Sequence, residues 1–341
     1  MTVRYGIIGY GRWGKLHIQA IRKAAGAELK AVAVSSEETK RTAEAEQGVP
    51  IYTDYRELLE RSDIDVVDIV LPNHLHYDAA MAALRAGKHI LLEKPVALTE
   101  AECRDIVEEA RKRGRHIHVG HELRFSPLWG RVKRMIADGS IGRLKMAGIS
   151  LSRHPFREGA GGWRQDAARV GSWILEEPVH FFDLIRWYFE GTETPVYVYA
   201  VGNSRNPQLE ANGMFENFSA TIRFSEGGAA VFNQTLAAYE HHLTGEFVGT
   251  NGVLKLWWSG ATDEVLEPRF GMEYFDGSKK VQVELEKVPG EVYELDVQIE
   301  QYTRVIAKGG KPSVTGEDGL WAVKLSLAAQ EAAARGERIW V

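Results

Sequence analysis

The first third of the chain alternates short apolar runs with segments in which apolar residues recur at helical spacing. Short apolar runs are typical of parallel strands that are covered on both faces, and helical segments between them are typical of crossover connections. We therefore predict a doubly wound α/β sheet. Its predicted strands span residues 3–8, 29–34, 66–71, 89–92 and 116–120.

Two helices have clear sequence starts. Thr99 and Glu102 have the spacing of a capping box, which predicts a helix over residues 99–113. Ser126 and Pro127 predict the N-cap and the first position of a further helix that ends near Gly139.

From about Lys145 onwards apolar and polar residues alternate, which predicts strands with one buried face. Turn-like Ser-Glu-Gly-Gly and Thr-Asn-Gly sequences join these runs, so we predict a large, mostly antiparallel open sheet. A helical segment over residues 179–189 precedes the sheet. The predicted strands span residues 196–201, 218–224, 229–236, 245–249 and 252–257.

The length of 341 residues predicts two domains. The change of pattern places the doubly wound domain at residues 1–122 and an α+β domain at residues 123–341. The last predicted helix, over residues 316–335, is a candidate to pack back on the first domain.

The composition of the chain limits which partners it can bind and which kinds of site it can contain. The chain has 42 Lys and Arg against 47 Asp and Glu, a net charge of −5 with no large basic cluster, which excludes nucleic acid or an acidic membrane as the main partner. It begins directly in a predicted strand and has no apolar run long enough to cross a membrane, so we expect a cytoplasmic protein. The single cysteine, Cys103, excludes an intrachain disulfide and a multi-cysteine metal site, and we predict no metal.

A glycine-rich loop lies between the first predicted strand and the first predicted helix. In such a Gly-x-Gly-x-x-Gly motif the first glycine makes a tight turn, the second lets the backbone approach a pyrophosphate, and the third lets helix pack on strand. The helix start then presents N–H groups to the phosphates. An ordinary turn is the alternative, but the context favours dinucleotide binding. The predicted cofactor residues here are Gly9, Tyr10, Gly11, Arg12, Trp13 and Gly14.

The end of the second predicted strand bears on the choice between NAD and NADP. An NAD site usually has an acidic residue there, which accepts hydrogen bonds from the ribose. This chain has Ser35 and Ser36 followed by Lys40, and hydroxyls with a cation suit a 2′-phosphate. Glu37 and Glu38 weaken this argument, because either can turn inward. We predict NADP in preference to NAD and leave NAD open; capping of the next helix by the serines is compatible with either.

Polar residues follow the third and fourth predicted strands. Because the carboxyl ends of parallel strands form the ligand-binding edge of an open α/β sheet, we predict that these residues meet the cofactor. A lysine at this edge is a candidate for chemistry, and an ordinary surface lysine is the alternative. The residues are Pro72, Asn73, His76, Glu93 and Lys94.

Five motifs occur in a characteristic order along the chain. They are the loop at residues 9–14, Pro72-Asn73-x-x-His76, Ala86-Gly87-Lys88-His89 leading into Glu93-Lys94-Pro95, Trp163-Arg164 followed by residues 171–183, and Gly316-Glu317-Asp318-Gly319. In this order they resemble the glucose–fructose oxidoreductase, inositol dehydrogenase and rhizopine catabolism family. The resemblance covers nearly the whole chain. It implies a Rossmann dinucleotide-binding domain at residues 1–122 and a second domain at residues 123–341, with a large open sheet, for substrate binding and oligomerisation. It also implies oxidation or reduction of a ring carbon of sugars or cyclitols with NAD or NADP.

The resemblance implies that Lys94 is the catalytic lysine and that His180 is the acid/base. In the family an aspartate usually stands four residues before this histidine, and Glu176 occupies that position here. A carboxylate at this spacing on a helix faces the imidazole, but a helix that starts at Pro178 leaves Glu176 in a turn. Glu177 is a second candidate for the same role.

Further residues are predicted to line the two ligands. His121 ends the last predicted parallel strand at the ligand edge and is assigned to the cofactor. Arg124 is assigned to the substrate, with pairing to a carboxylate as the alternative. An aromatic face beside a cation suits a sugar ring, although a core tryptophan is an equal interpretation of Trp163. The predicted substrate residues are Lys94, Arg124, Trp163, Arg164, Glu177, His180 and Asp183.

We therefore expect hydride transfer between nicotinamide C4 and a ring carbinol or carbonyl carbon of a sugar, sugar derivative or cyclitol. Two other functions stay open, namely NAD-dependent glycoside cleavage by oxidation and elimination, and a non-catalytic dinucleotide-binding sensor. Apolar Val231, Phe232 and Leu236 on the open sheet further predict a homodimer or homotetramer formed through that sheet.

Overall fold

The computed structural model describes residues 1–238, 240–262 and 265–341, which divide into two compact units. Unit 1 comprises Met1–His121 and Leu295–Val323, and unit 2 comprises Glu122–Glu294 and Lys324–Val341. The sequence predicts a boundary after residue 122, with the helix over residues 316–335 as a candidate to pack back on the first domain. The structure groups residues 295–323 with unit 1.

Six described strands of unit 1 form a parallel sheet in the order β3-β2-β1-β4-β5-β6. Helices connect most of them, which confirms the doubly wound α/β prediction. The elements are β1 (Val3–Ile8), α1 (Arg12–Lys23), β2 (Ala27–Ala33), α2 (Glu37–Gln47), β3 (Ile51–Tyr52), α3 (Tyr55–Leu59), β4 (Val66–Ile69), α4 (His76–Arg85), β5 (His89–Glu93), α5 (Glu100–Arg113) and β6 (Ile117–Gly120).

The later elements begin with α6 (Trp129–Ala137), β7 (Leu144–Ser152), α7 (Ala167–Val170), α8 (Trp173–Glu176), α9 (Pro178–Phe189), β8 (Pro195–Asn203) and α10 (Pro207–Ala211). They continue with β9 (Asn217–Phe224), β10 (Ala229–Thr235), β11 (His241–Gly249), β12 (Val253–Gly260), β13 (Arg269–Phe275), β14 (Lys280–Gln282), α11 (Glu291–Lys308), α12 (Gly316–Arg335) and β15 (Ile339–Trp340).

Nine described strands form the sheet of unit 2, in the order β14-β13-β12-β11-β7-β10-β9-β8-β15. Its neighbouring pairs are antiparallel except β7 with β10, which run parallel. This confirms the predicted large, mostly antiparallel sheet. Helix α9 packs on one face, where Phe181 stacks on Phe232 with ring centroids 5.2 Å apart.

Of the two predicted helix starts, one is confirmed and the other lies earlier than the observed start. Thr99 and Glu102 form the capping box, with both of its reciprocal hydrogen bonds present. Helix α6 begins only at Trp129, because residues 122–125 form a 3₁₀ turn and the Ser126 hydroxyl accepts from the Leu128 N–H at 3.1 Å. The predicted N-cap at Ser126 is therefore early by two residues, because the observed N-cap is Leu128.

Helix α11 was not expected from the sequence, and its residues explain why segment 295–323 groups with unit 1. Leu295, Ile299 and Tyr302 pack in the core of that unit. The Tyr302 hydroxyl donates to the Ile90 carbonyl at 2.9 Å. Across the described residues, no helix is both long and apolar enough to span a membrane.

Candidate active site

Glycines shape the loop between β1 and α1. Gly9 has a φ of +117°, and a Cβ placed on it would lie 2.0 Å from the Val70 carbonyl oxygen. A Cβ on Gly14 would lie 2.3 Å from the Gly9 carbonyl oxygen. In the described part of the chain, no atom beyond its chain neighbours lies within 4 Å of a Cβ built on Gly11. Gly9 and Gly14 therefore serve the packing of the loop, and Gly11 leaves its outer side open.

The first turn of α1 is suited to an anion. Its N-cap is Gly11, which has no side chain to accept hydrogen bonds from the helix, and no acidic residue lies in the first turn. Backbone N–H groups at a helix start attract phosphate. The donors at this loop therefore fit the pyrophosphate of a dinucleotide.

Two side chains of the loop are held by contacts within unit 1. The Tyr10 hydroxyl donates to Glu46 at 2.5 Å and accepts from Gln47 at 2.5 Å. Burial raises the pKa of Tyr10, so the hydroxyl stays neutral. The Trp13 ring packs edge-on against His17, with centroids 5.6 Å apart. The backbone of the loop, with exposed Arg12 at the helix start, is thus the part that can meet a phosphate.

The start of α2 holds the residues predicted to choose between the cofactors. Ser36 is the N-cap and accepts from the N–H three residues later at 3.2 Å, as the capping alternative requires. Ser35 is exposed and Lys40 is partly exposed. Glu37 and Glu38 also lie exposed in the first turn. Hydroxyls, a cation and carboxylates are all accessible here, so the preference for NADP stays a prediction.

Lys94 follows directly on the last residue of β5 and is partly buried. His76 contacts the same segment, with its Nδ1 2.6 Å from the Pro95 carbonyl oxygen and its Nε2 2.8 Å from the Leu71 carbonyl oxygen. The imidazole thus joins the chain after β4 to the chain after β5, and it positions the backbone beside Lys94. Among the other predicted cofactor residues, Asn73 and His121 are buried and Pro72 is partly buried.

Glu93 is buried within unit 1. A Cβ built on Gly120 would lie 2.4 Å from its Oε1. His17 Nε2 lies 3.2 Å from the same oxygen. The carboxylate therefore packs against protein groups on two sides, directly before Lys94 in the chain.

Unit 2 holds the predicted acid/base. Helix α9 begins at Pro178, so His180 lies in its first turn, and its side chain is buried. Its Nε2 lies 3.8 Å from Oε1 of Glu122, which is also buried. A carboxylate near an imidazole favours its protonated form and so supports proton uptake.

Three acids predicted around His180 each bind an arginine. The pairs are Arg164 with Glu176 at 2.5 Å, Arg153 with Glu177 at 2.7 Å, and Arg124 with Asp183 through two bonds of 2.7 and 2.6 Å. For Arg124 the structure thus shows the alternative interpretation, a carboxylate pair. Glu176 ends α8, two residues before α9 begins, as the break at Pro178 predicts. A role for Glu176 or Glu177 in orienting His180 stays a prediction.

Trp163 and Arg164 lie together before α7. The guanidinium of Arg164 lies over the Trp163 ring, 4.4 Å from its centroid. Trp163 is 7% exposed and packs in an apolar cluster with Phe156 and Trp173. Trp163 therefore packs as a core residue, which is one of the two interpretations of the sequence. Its contact with a sugar stays a prediction.

Two residues of this arrangement were not assigned from the sequence. Glu122 directly follows His121, which ends a strand at the predicted ligand edge, but its distance to His180 depends on how residues 58 positions apart meet in the fold. His17 stands one turn after the glycine loop, and nothing in its local sequence distinguishes a buried histidine from an exposed one.

Two stretches of the chain match known domain families. Residues 3–121 match the oxidoreductase family with an NAD-binding Rossmann fold, and residues 129–255 match the GFO/IDH/MocA C-terminal domain. The chain belongs to the GFO/IDH/MocA oxidoreductase family. This confirms the predicted family, fold class and reaction class, and an NAD-type dinucleotide as the kind of cofactor.

Curated relatives cover the same length. The uncharacterized oxidoreductase YrbE of Bacillus subtilis is 30% identical over 97% of this chain and 94% of its own. The 1,5-anhydro-D-fructose reductase of Ensifer adhaerens is 29% identical over 98% of this chain and 97% of its own. The myo-inositol 2-dehydrogenase of Thermotoga maritima is 28% identical over 96% of each chain.

Solved structures share the fold throughout. A levoglucosan dehydrogenase in complex with NADH and levoglucosan aligns over 100% of both chains with a TM-score of 0.83 and 25% identity. The aldose-aldose oxidoreductase of Caulobacter crescentus, complexed with glycerol, aligns over 100% of both chains with a TM-score of 0.85 and 21% identity. The second likeness supports the fold alone.

Proposed function

We propose that the protein transfers a hydride reversibly between nicotinamide C4 and a ring carbinol or carbonyl carbon of a sugar, sugar derivative or cyclitol. The observation that carries this proposal is His180, buried in the first turn of α9 with a carboxylate 3.8 Å from its ring. The relatives named as an anhydrofructose reductase and an inositol dehydrogenase support the substrate class.

In the oxidative direction His180 takes the proton of the substrate hydroxyl while Lys94 stabilises the developing alkoxide. The bound nicotinamide supplies the hydride acceptor. The C–H bond of the carbinol and its O–H bond break, and a carbonyl forms. The loop at residues 9–14 holds the pyrophosphate, so the remaining task of the protein is to orient the two reactants and exclude water.

The test uses purified protein, each oxidised cofactor in turn and a panel of sugars and cyclitols, with reduced nicotinamide measured by absorbance. Lys94→Ala and His180→Ala are each expected to lower kcat by about 100-fold or more, the range of a lost acid/base. Lys112→Ala, an exposed lysine on α5, is the matched control. No reduction with any polyol, or unchanged rates in both variants, contradicts the proposal. Cleavage of aryl glycosides without net NADH indicates the oxidation and elimination reaction instead.

We propose NADP in preference to NAD as the cofactor. Support comes from the exposed hydroxyls of Ser35 and Ser36 and from Lys40 on the same helix start, which suit a 2′-phosphate. Lys40→Ala is expected to weaken NADPH binding several-fold and to leave NADH binding unchanged, measured by fluorescence titration. Equal effects on both cofactors contradict the preference.

We also propose a homodimer or homotetramer formed through the open sheet. Phe232 and Leu236 are buried inside unit 2 and Val231 is partly buried, so the first two do not supply the exposed face. The support is a set of exposed apolar side chains on the opposite face, namely Met146, Tyr199, Val201 and Phe275. Light scattering gives the mass in solution, and Tyr199→Lys is expected to lower it. A monomer at micromolar concentration contradicts the proposal.

A cytoplasmic location completes the proposal. The chain has one cysteine, Cys103, which is buried and free, and disulfide-free proteins are typical of reducing compartments. Fractionation of cells that express the protein tests this. Recovery outside the cytoplasmic fraction contradicts it.

A further inference from the structure

A histidine lies between two buried carboxylates in unit 1. His17 on α1 is fully buried, with Nδ1 2.8 Å from Oδ2 of Asp68 and Nε2 3.2 Å from Oε1 of Glu93. A neutral imidazole carries only one N–H, so contacts to two carboxylates are both favourable only for the imidazolium. The geometry therefore indicates a buried cation between two anions.

The sheet register explains why the two carboxylates meet one side chain. Asp68 on β4 pairs with Leu91 on β5. Side chains alternate along a strand, so Glu93, two residues after Leu91, points to the same face as Asp68. Helix α1 packs close to β1 because Gly14 carries no Cβ that would meet the Gly9 carbonyl. His17 is one turn further along that helix.

The charges support the same state. Burial lowers the pKa of His17, but the charge and hydrogen bond of Asp68 together with the Glu93 carboxylate outweigh it and raise the pKa to about 10. Burial raises the pKa of Asp68, and the positive His17 opposes this. With Nδ1 and Oδ2 at 2.8 Å, the ionised pair is the state that fits the geometry.

The other titratable groups that act on Asp68 and Glu93 come from neighbouring elements. Tyr5 on β1 and Tyr302 on α11 lie near Asp68 and stay neutral, because burial raises the pKa of each. They leave His17 as the cation of the cluster, and they do not titrate with it near neutral pH.

Glu93 connects this cluster to Lys94. Burial raises the pKa of Glu93, but His17, the Lys94 charge and Trp13 together hold it below its usual range. Trp13 and His17 stand four residues apart on the first turns of α1, so two residues of the helix that follows the glycine loop favour the ionised form of Glu93. The residue after Glu93 in the chain is Lys94.

We propose that His17 is a positioning residue for the reaction: as an imidazolium it fixes the Glu93 carboxylate, and so the Lys94 amine and the start of α1 that meets the cofactor. This rests on the proposed function for the role of Lys94. Without His17, the Glu93 carboxylate loses its main cation, and its charge then acts chiefly on the Lys94 ammonium, which already interacts with it.

The first experiment observes His17 directly. Protein labelled with ¹⁵N at histidine is followed by NMR between pH 6 and 9, and the His17 signals are assigned by their loss in His17→Gln. Both ring nitrogens are expected to stay protonated throughout. A ring that loses a proton below pH 8 overturns the proposal. A second series extends to pH 11 to find the midpoint of the His17 titration, and in Asp68→Asn, which removes one of the two anions, this midpoint is expected to fall by about one pH unit or more.

The second experiment measures the consequence at Lys94 without turnover. Reductive methylation of Lys94 is quantified by mass spectrometry across a pH series, because only the neutral amine reacts. His17→Gln is expected to need about one pH unit more for the same rate, and to bind NADH and NADPH about tenfold more weakly. His118→Gln, a buried histidine packed on the Tyr302 ring, is the matched control and is expected to change neither.

Two results distinguish a positioning role of His17 from a purely structural role. If His17→Gln destabilises the fold but matches His118→Gln in Lys94 reactivity and cofactor binding, the positioning role is refuted. If His17→Gln does not fold, Asp68→Asn serves for the same measurements, and an unchanged His17 titration in it refutes the cluster. None of these readouts needs a substrate, so a protein that passes them but reduces no cofactor with any polyol refutes the proposed function and not the role of His17.

Discussion

The two units handle buried carboxylates in different ways. In unit 1, Asp68 and Glu93 share one histidine. In unit 2, Glu176, Glu177 and Asp183 each pair with an arginine, as Asp183 does with Arg124. A guanidinium keeps its proton at any pH the fold survives, whereas an imidazolium does not. These three acids of unit 2 are therefore held independently of pH, whereas Asp68 and Glu93 of unit 1 are held only while His17 is charged.

This difference suits the tasks that we propose for the two units. Fixed arginine pairs give a rigid frame around the histidine that exchanges a proton. Because Asp68 and Glu93 share one imidazolium, a single positive charge serves both acids close to Lys94. No second cationic residue, which could bind the cofactor phosphates, is needed. Stability is expected to respond accordingly: the contribution of His17 is present below pH 6.5 and is lost as pH rises towards 10.

The largest effect is expected on breaking an arginine pair. Arg124 and Asp183 have side-chain exposures of 4% and 1%, so Arg124→Met leaves an uncompensated buried carboxylate. We expect the free energy of unfolding to fall by about 3–5 kcal/mol, measured by urea denaturation. Lys255→Met is the control, because Lys255 and Glu246 pair with side-chain exposures of 57% and 53%, and its effect is expected to be much smaller. Equal losses in the two variants contradict the comparison.

Glu294 of unit 2 is a buried carboxyl whose hydrogen-bond partners are neutral, and it offers a second test of how pH affects buried acids. Glu294 accepts from the Gly290 N–H at 3.2 Å, and burial raises its pKa from 4.5 to about 7, although Ser126 and this N–H oppose the shift. The folded state prefers the protonated form, so this stabilisation is complete below pH 4.5 and is lost as pH rises through 7. At pH 9, Glu294→Gln is expected to be more stable than the unsubstituted protein by about 2 kcal/mol.

Thermal and urea unfolding at pH 5 and pH 9 check this change. The advantage of Glu294→Gln is expected to disappear at the lower pH. Glu267→Gln, at an exposed position, is expected to show no such pH dependence. An advantage that is the same at both values rejects the neutral, buried carboxyl.

The smallest effect is expected at Glu122. Its carboxylate lies 3.8 Å from the His180 ring and favours the imidazolium. Glu122→Gln is expected to lower kcat about tenfold and to move the acidic limb of the pH–rate profile to lower pH, with KM changed little. Stopped-flow or steady-state rates from pH 5 to 9 test this against Glu267→Gln. A lower rate with an unmoved limb assigns Glu122 a packing role only.

Features that depend on local chemistry were predictable from the sequence. The turn at Gly9 and the capping box at Thr99 involve residues within a few positions of each other, and the structure contains both. Helix α11 was missed although a signal existed, because Leu295, Ile299 and Tyr302 recur at helical spacing. The parallel pairing of β7 with β10 had no such signal, since alternation shows that a strand exists and not which neighbour it takes.

The partners in the candidate site were less predictable. Arg124 meets Asp183 across 59 positions of the chain, and Arg153 meets Glu177 across 24. Residue types marked these side chains as candidates, but only the packing of α9 on the sheet brings each acid to its arginine. Sequence could thus name most members of the site and could not assign their pairs.

Gly11 has one last consequence. Its φ of −73° and ψ of −174° are open to any residue, and the described chain leaves room for a side chain there. Neither the backbone nor the packing of the described residues requires glycine at this position, so a side chain there would meet only a molecule outside the chain. A single methyl group at Gly11 is therefore expected to separate folding from nucleotide binding: Gly11→Ala keeps the melting temperature of the protein and weakens its binding of the dinucleotide.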